Sequence, residues 1–298
     1  MLRIISVKHL KKTINMTKKV PHVYTPTDRT PYTFTKDYFQ YSEYNWWHVA
    51  HRWYMEDNRP YKAKRKEDCR VLEIGSFEGS STVWFIENLV NNYNCELHCV
   101  DRWLEINPKD DATPDGEASM VGAESRFDSN VSIACDLHLT QEQKDEKLFV
   151  WKGCSSSQLV EITKQYGERS FDIIYIDGSH DQNQVMIDAM MSYKLLDYGG
   201  LIVFDDYTLY SGPDQNLKSC IDSFYALNAS MLAPVYKLTK RGPSSKLYDE
   251  HVSEGDPSRD NVIYLPINQA WFRKYKHVPS LNRKIIPGYH PDSPKIPK

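Results

Sequence analysis

The sequence predicts an α/β protein whose sheet is mostly parallel and is covered by helices on both faces. From about residue 69 onward, short apolar runs typical of buried strands alternate with segments of helical periodicity. Several of these runs end in a glycine or an acid. Open parallel sheets bind their ligands beyond the carboxyl ends of the strands, so these residues are candidates for ligand contact. Because parallel strands need helical crossovers, the alternation favours a layered βαβ architecture.

Seven strands and five intervening helices make up the predicted domain. The predicted strands are residues 69–75, 95–101, 148–153, 171–178 and 199–207, followed by two closing strands within 233–241 and 261–275. The predicted helices are residues 80–93, 123–134, 157–167, 184–196 and 216–227. Each of the first five strands is therefore followed by a helix, as a doubly wound sheet requires.

Two segments precede this domain. Residues 1–35 are predicted to be a basic flexible tail, and residues 36–68 an aromatic-rich helical extension. The extension is predicted to be helical because six residues recur at helical spacing. They are Trp46, Trp47, Val49, Ala50, Trp53 and Tyr54.

The main domain is predicted to span residues 69–278. Within it, residues 104–147 are a candidate lid, since a connection of this length in a compact domain is commonly functional. Residues 279–298 form a proline-rich tail.

Composition excludes several classes of protein. The net charge of −3 argues against broad electrostatic capture of nucleic acid, so a nucleic-acid partner is not expected. No run of about 18 apolar residues is present, so no membrane span is expected. The six cysteines lack metal-site spacing and suit free thiols in a reducing compartment, which favours the cytoplasm. The first 27 residues contain no acid, so a mitochondrial transit peptide is the alternative to a basic arm.

The stretch VLEIGSFEGSS, residues 71–81, predicts a ligand-binding turn. A strand ends in Glu73 and then turns on Gly75 and Gly79, which allows the backbone to approach a ligand closely. A phosphate loop is rejected because no lysine follows Gly79. A dinucleotide fingerprint lacks its second glycine, since Phe77 stands there, and this leaves NAD as a weaker alternative. S-adenosylmethionine, which carries a sulfonium, an ammonium and a ribose diol, suits a strand-end carboxylate beside a glycine turn.

A second carboxylate supports an adenosine ligand. Asp101 ends the next predicted strand, and an acid at that place can accept hydrogen bonds from both ribose hydroxyls.

These residues resemble the class I S-adenosylmethionine-dependent methyltransferases. Glu73-x-Gly75-x-x-x-Gly79 looks like their first motif, and Asp101 like their ribose-binding acid. Residues 171–207, with IDG-x-H and then GG-x-I-x-x-DD, are similar to a family of small O-methyltransferases that includes catechol-type and sugar- or antibiotic-tailoring enzymes. The resemblance implies a Rossmann-like, doubly wound, seven-stranded sheet and a hydroxylated acceptor.

The resemblance also implies a metal site and a base. In catechol-type relatives the corresponding acids hold magnesium, and here these are Asp177, Asp205 and Asp206, which suit Mg²⁺ or Mn²⁺. His180 stands where those relatives have a lysine base, so a metal-free variant with a histidine base stays open. The ordinary pKa of histidine, near 6.5, suits a general base at neutral pH. Asp177 and His180 are the predicted catalytic residues.

Further contacts complete the predicted site. Ser76 and Ser81 are expected near the cofactor carboxylate, and Tyr207 and His180 near the substrate. Cys154 and Ser155 lie where this fold usually holds adenine, and Trp103 is expected to flank it. The full set of predicted cofactor contacts is Glu73, Gly75, Ser76, Gly79, Ser81, Asp101, Arg102, Trp103, Cys154, Ser155 and Asp177.

The predicted function is transfer of a methyl group from S-adenosylmethionine to a hydroxyl of a small acceptor such as a sugar, polyol or phenol. The alternatives are a nitrogen or RNA acceptor, or a catalytically silent protein that binds a cofactor or a partner. The sequence is also compatible with a homo-oligomer.

Overall fold

A computed structural model describes residues 26–46, 69–93, 95–104, 120–209, 216–234 and 268–276. Within these residues the chain forms a seven-stranded sheet. Its strands are β1 (Arg70–Ile74), β2 (Glu96–Asp101), β3 (Leu148–Lys152), β4 (Phe171–Ile176), β5 (Leu196–Phe204), β6 (Leu232–Pro234) and β7 (Ala270–Lys274).

The strand order is β3-β2-β1-β4-β5-β7-β6, and β7 alone in this sheet runs against its neighbours. The predicted mostly parallel sheet of seven strands is therefore confirmed. The order reverses between β1 and β4, and in such sheets ligands bind beyond the carboxyl ends of the strands at this point. The two closing strands are shorter than the segments predicted for them, of which residues 235–241 and 261–267 lie outside the described residues.

Helices cover both faces of the sheet. They are α1 (Glu43–Trp46), α2 (Ser80–Phe85), α3 (Asn91–Tyr93), α4 (Ala123–His138), α5 (Gln141–Lys147), α6 (Ser155–Tyr166), α7 (Gln182–Leu195) and α8 (Leu217–Asn228). A π-helical turn, Ile86–Val90, joins α2 to α3. Buried residues of α2 and α4 belong to one core cluster, and those of α6, α7 and α8 belong to the other.

The strand β4 shows why both faces are apolar. Ile173 and Tyr175 point into the first cluster, and Ile174 and Ile176 into the second. Successive side chains of a strand point to opposite faces, so a strand covered on both sides must be apolar throughout. Every residue of β4 is buried, and all are apolar except Asp172, whose carboxylate accepts from the amide of Arg70 (2.9 Å).

The N-terminal segment packs against the first face. Phe39, in a 3₁₀ turn, and Trp46, in α1, are both buried, and the ring of Trp46 lies 5.0 Å from that of Tyr175 and 4.6 Å from that of Trp271. Residues 26–35, which the sequence assigns to a flexible tail, are bonded to the main domain. The rest of the predicted tail and extension, residues 1–25 and 47–68, lies outside the described residues, as does the C-terminal tail.

The second half of the candidate lid is an integral part of the domain. Residues 120–147 contain α4 and α5, and Phe127 and Val131 of α4 are buried in the first core cluster. The amphipathic pattern of α4 therefore serves packing, and residues 105–119 of the candidate lid lie outside the described residues. In the described part of the chain, no helix has the length and apolarity needed to span a membrane.

Gly75 offers a first test of the fold. Gly75→Ala should lower the free energy of unfolding by at least about 3 kcal/mol, because a Cβ there would lie 2.0 Å from the backbone oxygen of Asp177. Gly167→Ala is the control, since Gly167 also has a positive φ but has open space around it, and should lose only the backbone strain of about 1–3 kcal/mol. Urea unfolding of both variants measures the difference, and equal losses would contradict the steric argument.

Lys274 offers a test by pH. Its Nζ donates to the carbonyls of Tyr193 (2.6 Å) and Leu196 (2.8 Å), and burial lowers the pKa of Lys274 from 10.5 to about 8. Between these values the unfolded chain binds more protons than the folded protein. The free energy of unfolding should therefore rise with pH in this window, by up to about 1.4 kcal/mol per unit. Relative to Lys274→Met, the wild-type protein should show this extra slope in urea unfolding at pH 7.5, 8.5 and 9.5, and parallel slopes would refute it.

Candidate active site

The turn after β1 touches the loop after β4. Gly75 has φ of +89°, and its missing Cβ makes room for the backbone of Asp177 and Gly178. The amide of Gly75 donates to the carbonyl of Val100 (2.9 Å), and the amide of Asp177 donates to the carbonyl of Ile74 (2.8 Å). The carboxyl ends of three neighbouring strands are thereby joined where the strand order reverses.

Glu73 is the anchor of this turn. Its buried carboxylate accepts hydrogen bonds from the hydroxyls of Ser76 (2.7 Å), Thr82 (2.5 Å) and Ser81. Burial raises the pKa of Glu73, and the three hydroxyls oppose this effect. Glu73 therefore fixes the glycine turn to the first turn of α2. Direct contacts of Glu73, Ser76 and Ser81 with a cofactor stay predictions.

Asp101 ties the end of β2 to the same turn. One carboxylate oxygen accepts from the amide of Phe77 (2.8 Å), and the other from the amide of Trp103 (2.9 Å). Phe77 and Trp103 both have positive φ, which is strained for residues other than glycine. Asp101 holds both strained residues in place, and each of its oxygens keeps a second lone pair for a ligand.

Trp103 is a packing residue in this structure. Its indole nitrogen donates to the carbonyl of Phe77 (2.7 Å), and its ring lies 4.6 Å from that of Phe127 in the core. Its side chain is only 5% exposed, while its neighbour Arg102 is exposed. The predicted contact of Trp103 with adenine would therefore need its ring edge rather than a free ring face.

The end of β3 carries an exposed thiol. All six cysteines are free, and Cys154 alone among them is exposed. Cys154 lies at the N-cap of α6, and a hydrogen bond with Ser156 Oγ (3.3 Å) is the main cause that lowers the pKa of the thiol. Ser155 Oγ accepts from Gln184 Nε2 (3.1 Å) of α7. Cys154 and Ser155, the two predicted adenine contacts, thus lie at the carboxyl end of β3, next to those of β2 and β1.

Two acids meet beside the glycine turn. The hydroxyl of Tyr175 lies 2.9 Å from Asp177 Oδ2 and also bonds Asp205 Oδ2. A hydroxyl has one proton, so it donates to one of the two carboxylates at a time. Burial, together with the charge of Asp205, raises the pKa of Asp177 well above its usual value. Burial, together with the charge of Asp206, raises the pKa of Asp205 to about 6. Simultaneous ionisation of both carboxyls is therefore disfavoured, and the pair tends to retain a proton.

His180 and Asp206 form the exposed part of the cluster. His180 Nε2 lies 2.9 Å from Asp206 Oδ2, and Asp206 has φ of +52°. A pocket between the ends of β4 and β5 contains both residues. Its lining is Ile176, Asp177, Gly178, Ser179, His180, Val185, Phe204, Asp205, Asp206 and Leu217.

Tyr207 does not line this pocket. It is 7% exposed, and its hydroxyl donates to Asp222 (2.8 Å) of α8. Burial is the first cause that raises the pKa of Tyr207 to about 12, followed by the Asp222 carboxylate. The predicted substrate contact of Tyr207 would require this hydrogen bond to break.

The predicted metal ligands are not arranged as a metal site. The described residues contain no group of three or more His, Cys, Asp or Glu side chains placed to hold a metal ion. Two causes are visible. The hydroxyl of Tyr175 bridges Asp177 and Asp205, and the left-handed backbone of Asp206 directs its carboxylate to His180. That Asp177, Asp205 and Asp206 hold Mg²⁺ or Mn²⁺ therefore stays a prediction, which would need these side chains to rearrange.

Sequence reasoning missed several residues that organise the site. Tyr175 looks like an ordinary strand residue, and Gln269 belongs to a segment far along the chain, yet both bond Asp205. Glu78 and Asn130 bind the N-terminal segment. Glu78, between Phe77 and Gly79, was the one available signal in the sequence. An acid within a buried turn needs hydrogen-bond donors, and these had to come from elsewhere in the chain.

Comparison with known protein families finds a match to the part of the chain that contains this site. Residues 72–207, just under half of the chain, match the model of a family described as a methyltransferase domain. The match covers the glycine turn, Asp101 and the acid cluster, and it supports the predicted class of enzyme. Among the alternatives, it favours S-adenosylmethionine over NAD.

Individual relatives are distant. An uncharacterized protein, R132, of Acanthamoeba polyphaga mimivirus is 26% identical over 145 residues, which are 49% of this chain; the chain spans about half (54%) of that relative. An O-methyltransferase from Bacillus cereus, solved with S-adenosylhomocysteine, is 19% identical, with 70% of this chain and 74% of that one covered and a TM-score of 0.42. A calicheamicin methyltransferase is 10% identical, with 85% and 99% covered and a TM-score of 0.44.

Cys154 can report on the cofactor site. Iodoacetamide should alkylate Cys154 before the five buried cysteines, because its thiol is exposed and its pKa is lowered. Saturating S-adenosylhomocysteine should slow this reaction at least about fivefold if adenine covers the end of β3. Peptide mass spectrometry measures the rate, with unfolded protein as the control in which all six cysteines react. An unchanged rate in saturated protein would place adenine elsewhere.

Proposed function

We propose that this protein transfers the methyl group of S-adenosylmethionine to a hydroxyl of a small acceptor. One observation carries the proposal. The glycine turn that would hold the cofactor lies in backbone contact with the loop that carries Asp177 and His180, because Gly75 has no Cβ. A cofactor over β1 and a base over β4 are thereby brought to the same crevice, as transfer between them requires.

The ends of β1, β2 and β3 supply the cofactor site. Gly75 and Gly79 allow close approach of the backbone, and Asp101 accepts the ribose hydroxyls through its remaining lone pairs. Cys154 and Ser155 border the adenine. Glu73 contributes indirectly, since its carboxylate holds the turn through Ser76, Ser81 and Thr82.

The cofactor supplies an activated methyl group, so the protein has to activate the acceptor. With Nε2–H of His180 donating to Asp206, Nδ1 of His180 takes the proton of the acceptor hydroxyl. An O–CH₃ bond forms as the S–CH₃ bond breaks, and S-adenosylhomocysteine leaves. Asp206 stabilises the imidazolium, and Asp177 and Asp205 line the crevice beside it.

A nitrogen acceptor is the second candidate. The carboxylates of Asp177, Asp205 and Asp206 all line the pocket, and an amine that enters as an ammonium would find its countercharges there. The same charges repel the phosphates of RNA, which agrees with the net charge of −3.

Calorimetric titration with S-adenosylhomocysteine, with and without Mg²⁺, tests the cofactor. We expect micromolar binding in both buffers, and a larger rise in melting temperature with S-adenosylhomocysteine than with NAD. Absence of binding would refute the proposal. Clearly tighter binding with Mg²⁺ would show that the acid cluster rearranges around a metal ion. A screen of hydroxylated and amine acceptors with radiolabelled S-adenosylmethionine then separates the two candidate functions.

Substitution of His180 tests the base. His180→Ala should lower kcat by roughly 10²–10⁴ on an acceptor found in that screen, because the proton then has no positioned base. Affinity for S-adenosylhomocysteine should not change, since His180 lies on the acceptor side. His138→Ala, at the end of α4, is the control and should keep full kcat. An unchanged kcat in His180→Ala would assign deprotonation to another group.

A further inference from the structure

Residues 26–46, here called the N-terminal clamp, lie outside the segment that matches the methyltransferase domain. They nevertheless form hydrogen bonds with the glycine turn after β1, which the proposed function assigns to the cofactor. The contacts fall at Glu78 and Ser80, the two neighbours of Gly79.

Glu78 is the main attachment point. Its side chain is 1% exposed. Its Oε2 accepts from the amide of Thr35 (2.6 Å), and its Oε1 accepts from Thr35 Oγ1 (2.7 Å) and from Arg126 Nε (2.6 Å). Two of these three donors come from the clamp. A buried carboxylate that loses a donor is strongly destabilised, so Glu78 and the turn that carries it follow the position of Thr35.

Asn130 makes a second attachment. Its side-chain oxygen accepts from the amide of Thr33 (2.8 Å), and its side-chain nitrogen donates to the carbonyls of Thr33 (2.9 Å) and Glu78 (2.9 Å). On the other side of Gly79, Arg29 Nη1 donates to the carbonyl of Ser80 (2.9 Å). The clamp therefore holds both flanks of Gly79.

The far end of the clamp reaches the acceptor side. Gln269 Nε2 lies 3.0 Å from Ser42 Oγ and 3.1 Å from Asp205 Oδ2. The orientation of this amide is fixed, because Trp271 Nε1 can only donate and bonds Gln269 Oε1 (3.2 Å). One piece of chain is thus bonded to the cofactor turn directly and to Asp205 through Gln269.

We propose that the N-terminal clamp is a working part of the cofactor site and that Thr35 is a positioning residue, which sets the glycine turn through Glu78. The proposal rests on the proposed function, in which that turn binds S-adenosylmethionine. It extends the site beyond the matched domain and assigns a role to residues of the segment before it.

Three variants of the full chain test the proposal. Thr35→Val keeps the shape of the side chain and removes its hydroxyl. Thr35→Ser restores the hydroxyl. Thr30→Val is the control, because the hydroxyl of Thr30 bonds only Asp28 within the clamp. In calorimetric titration, Thr35→Val should bind S-adenosylhomocysteine about fivefold to tenfold more weakly, while Thr35→Ser and Thr30→Val should stay within about twofold of wild type.

Hydrogen exchange of the ligand-free proteins is the second measurement. Peptides that cover residues 76–80 should exchange faster in Thr35→Val than in Thr35→Ser. If Thr35→Val changes only the free energy of unfolding and leaves affinity and exchange as in wild type, Thr35 is merely structural and the proposal is overturned. Equal weakening in Thr35→Ser would also overturn it. If the wild-type protein fails to bind S-adenosylhomocysteine, the proposed function fails, and the exchange measurement still decides whether Thr35 positions the turn.

Discussion

The site depends on one close approach, that of Gly75 to the backbone of Asp177 and Gly178. The two strands β1 and β4 are neighbours at the point where the strand order reverses, so their connecting loops leave in opposite directions and open a crevice. The loops can touch only because Gly75 has no Cβ and adopts a positive φ. Because β1 and β4 are paired up to Ile74 and Ile176, this contact decides how closely the glycine turn approaches the acid cluster beyond the strand ends.

Three carboxylates paired with hydrogen-bond donors hold the residues around that contact in a fixed geometry. Glu73 binds the hydroxyls of α2, Glu78 binds the N-terminal clamp and Asp101 binds two strained amides. Each acid is surrounded by donors, because an unpaired charge in the interior is strongly unfavourable. The carboxyl ends of β1 and β2 are therefore held by hydrogen bonds from hydroxyls and backbone amides.

Much of this could be predicted from the sequence, for a physical reason. The parallel sheet is predictable because strands buried on both faces must be continuously apolar, and the glycine turn because glycine alone fits there without strain. The arrangement of the acids was not predictable. Whether Asp177, Asp205 and Asp206 converge depends on Tyr175 and on the backbone of Asp206, and neither leaves a mark on the local sequence. The clamp was missed because its partners, Glu78 and Asn130, are distant along the chain.

Most of the strained backbone conformations lie at the candidate site rather than in the regular core. Among the described residues other than glycine, Phe77, Trp103, Arg169 and Asp206 have positive φ. Three of these four follow the ends of β1, β2 and β5, beside the crevice. Such conformations are disfavoured by about 1–3 kcal/mol each and persist only where the surroundings determine them. The hydrogen bonds of Asp101 fix the backbone of Phe77 and Trp103 in these conformations. At Asp206, the positive φ occurs together with the ion pair to His180. The strain is concentrated where a ligand would meet the backbone, and the regular core on either side of the sheet supports it.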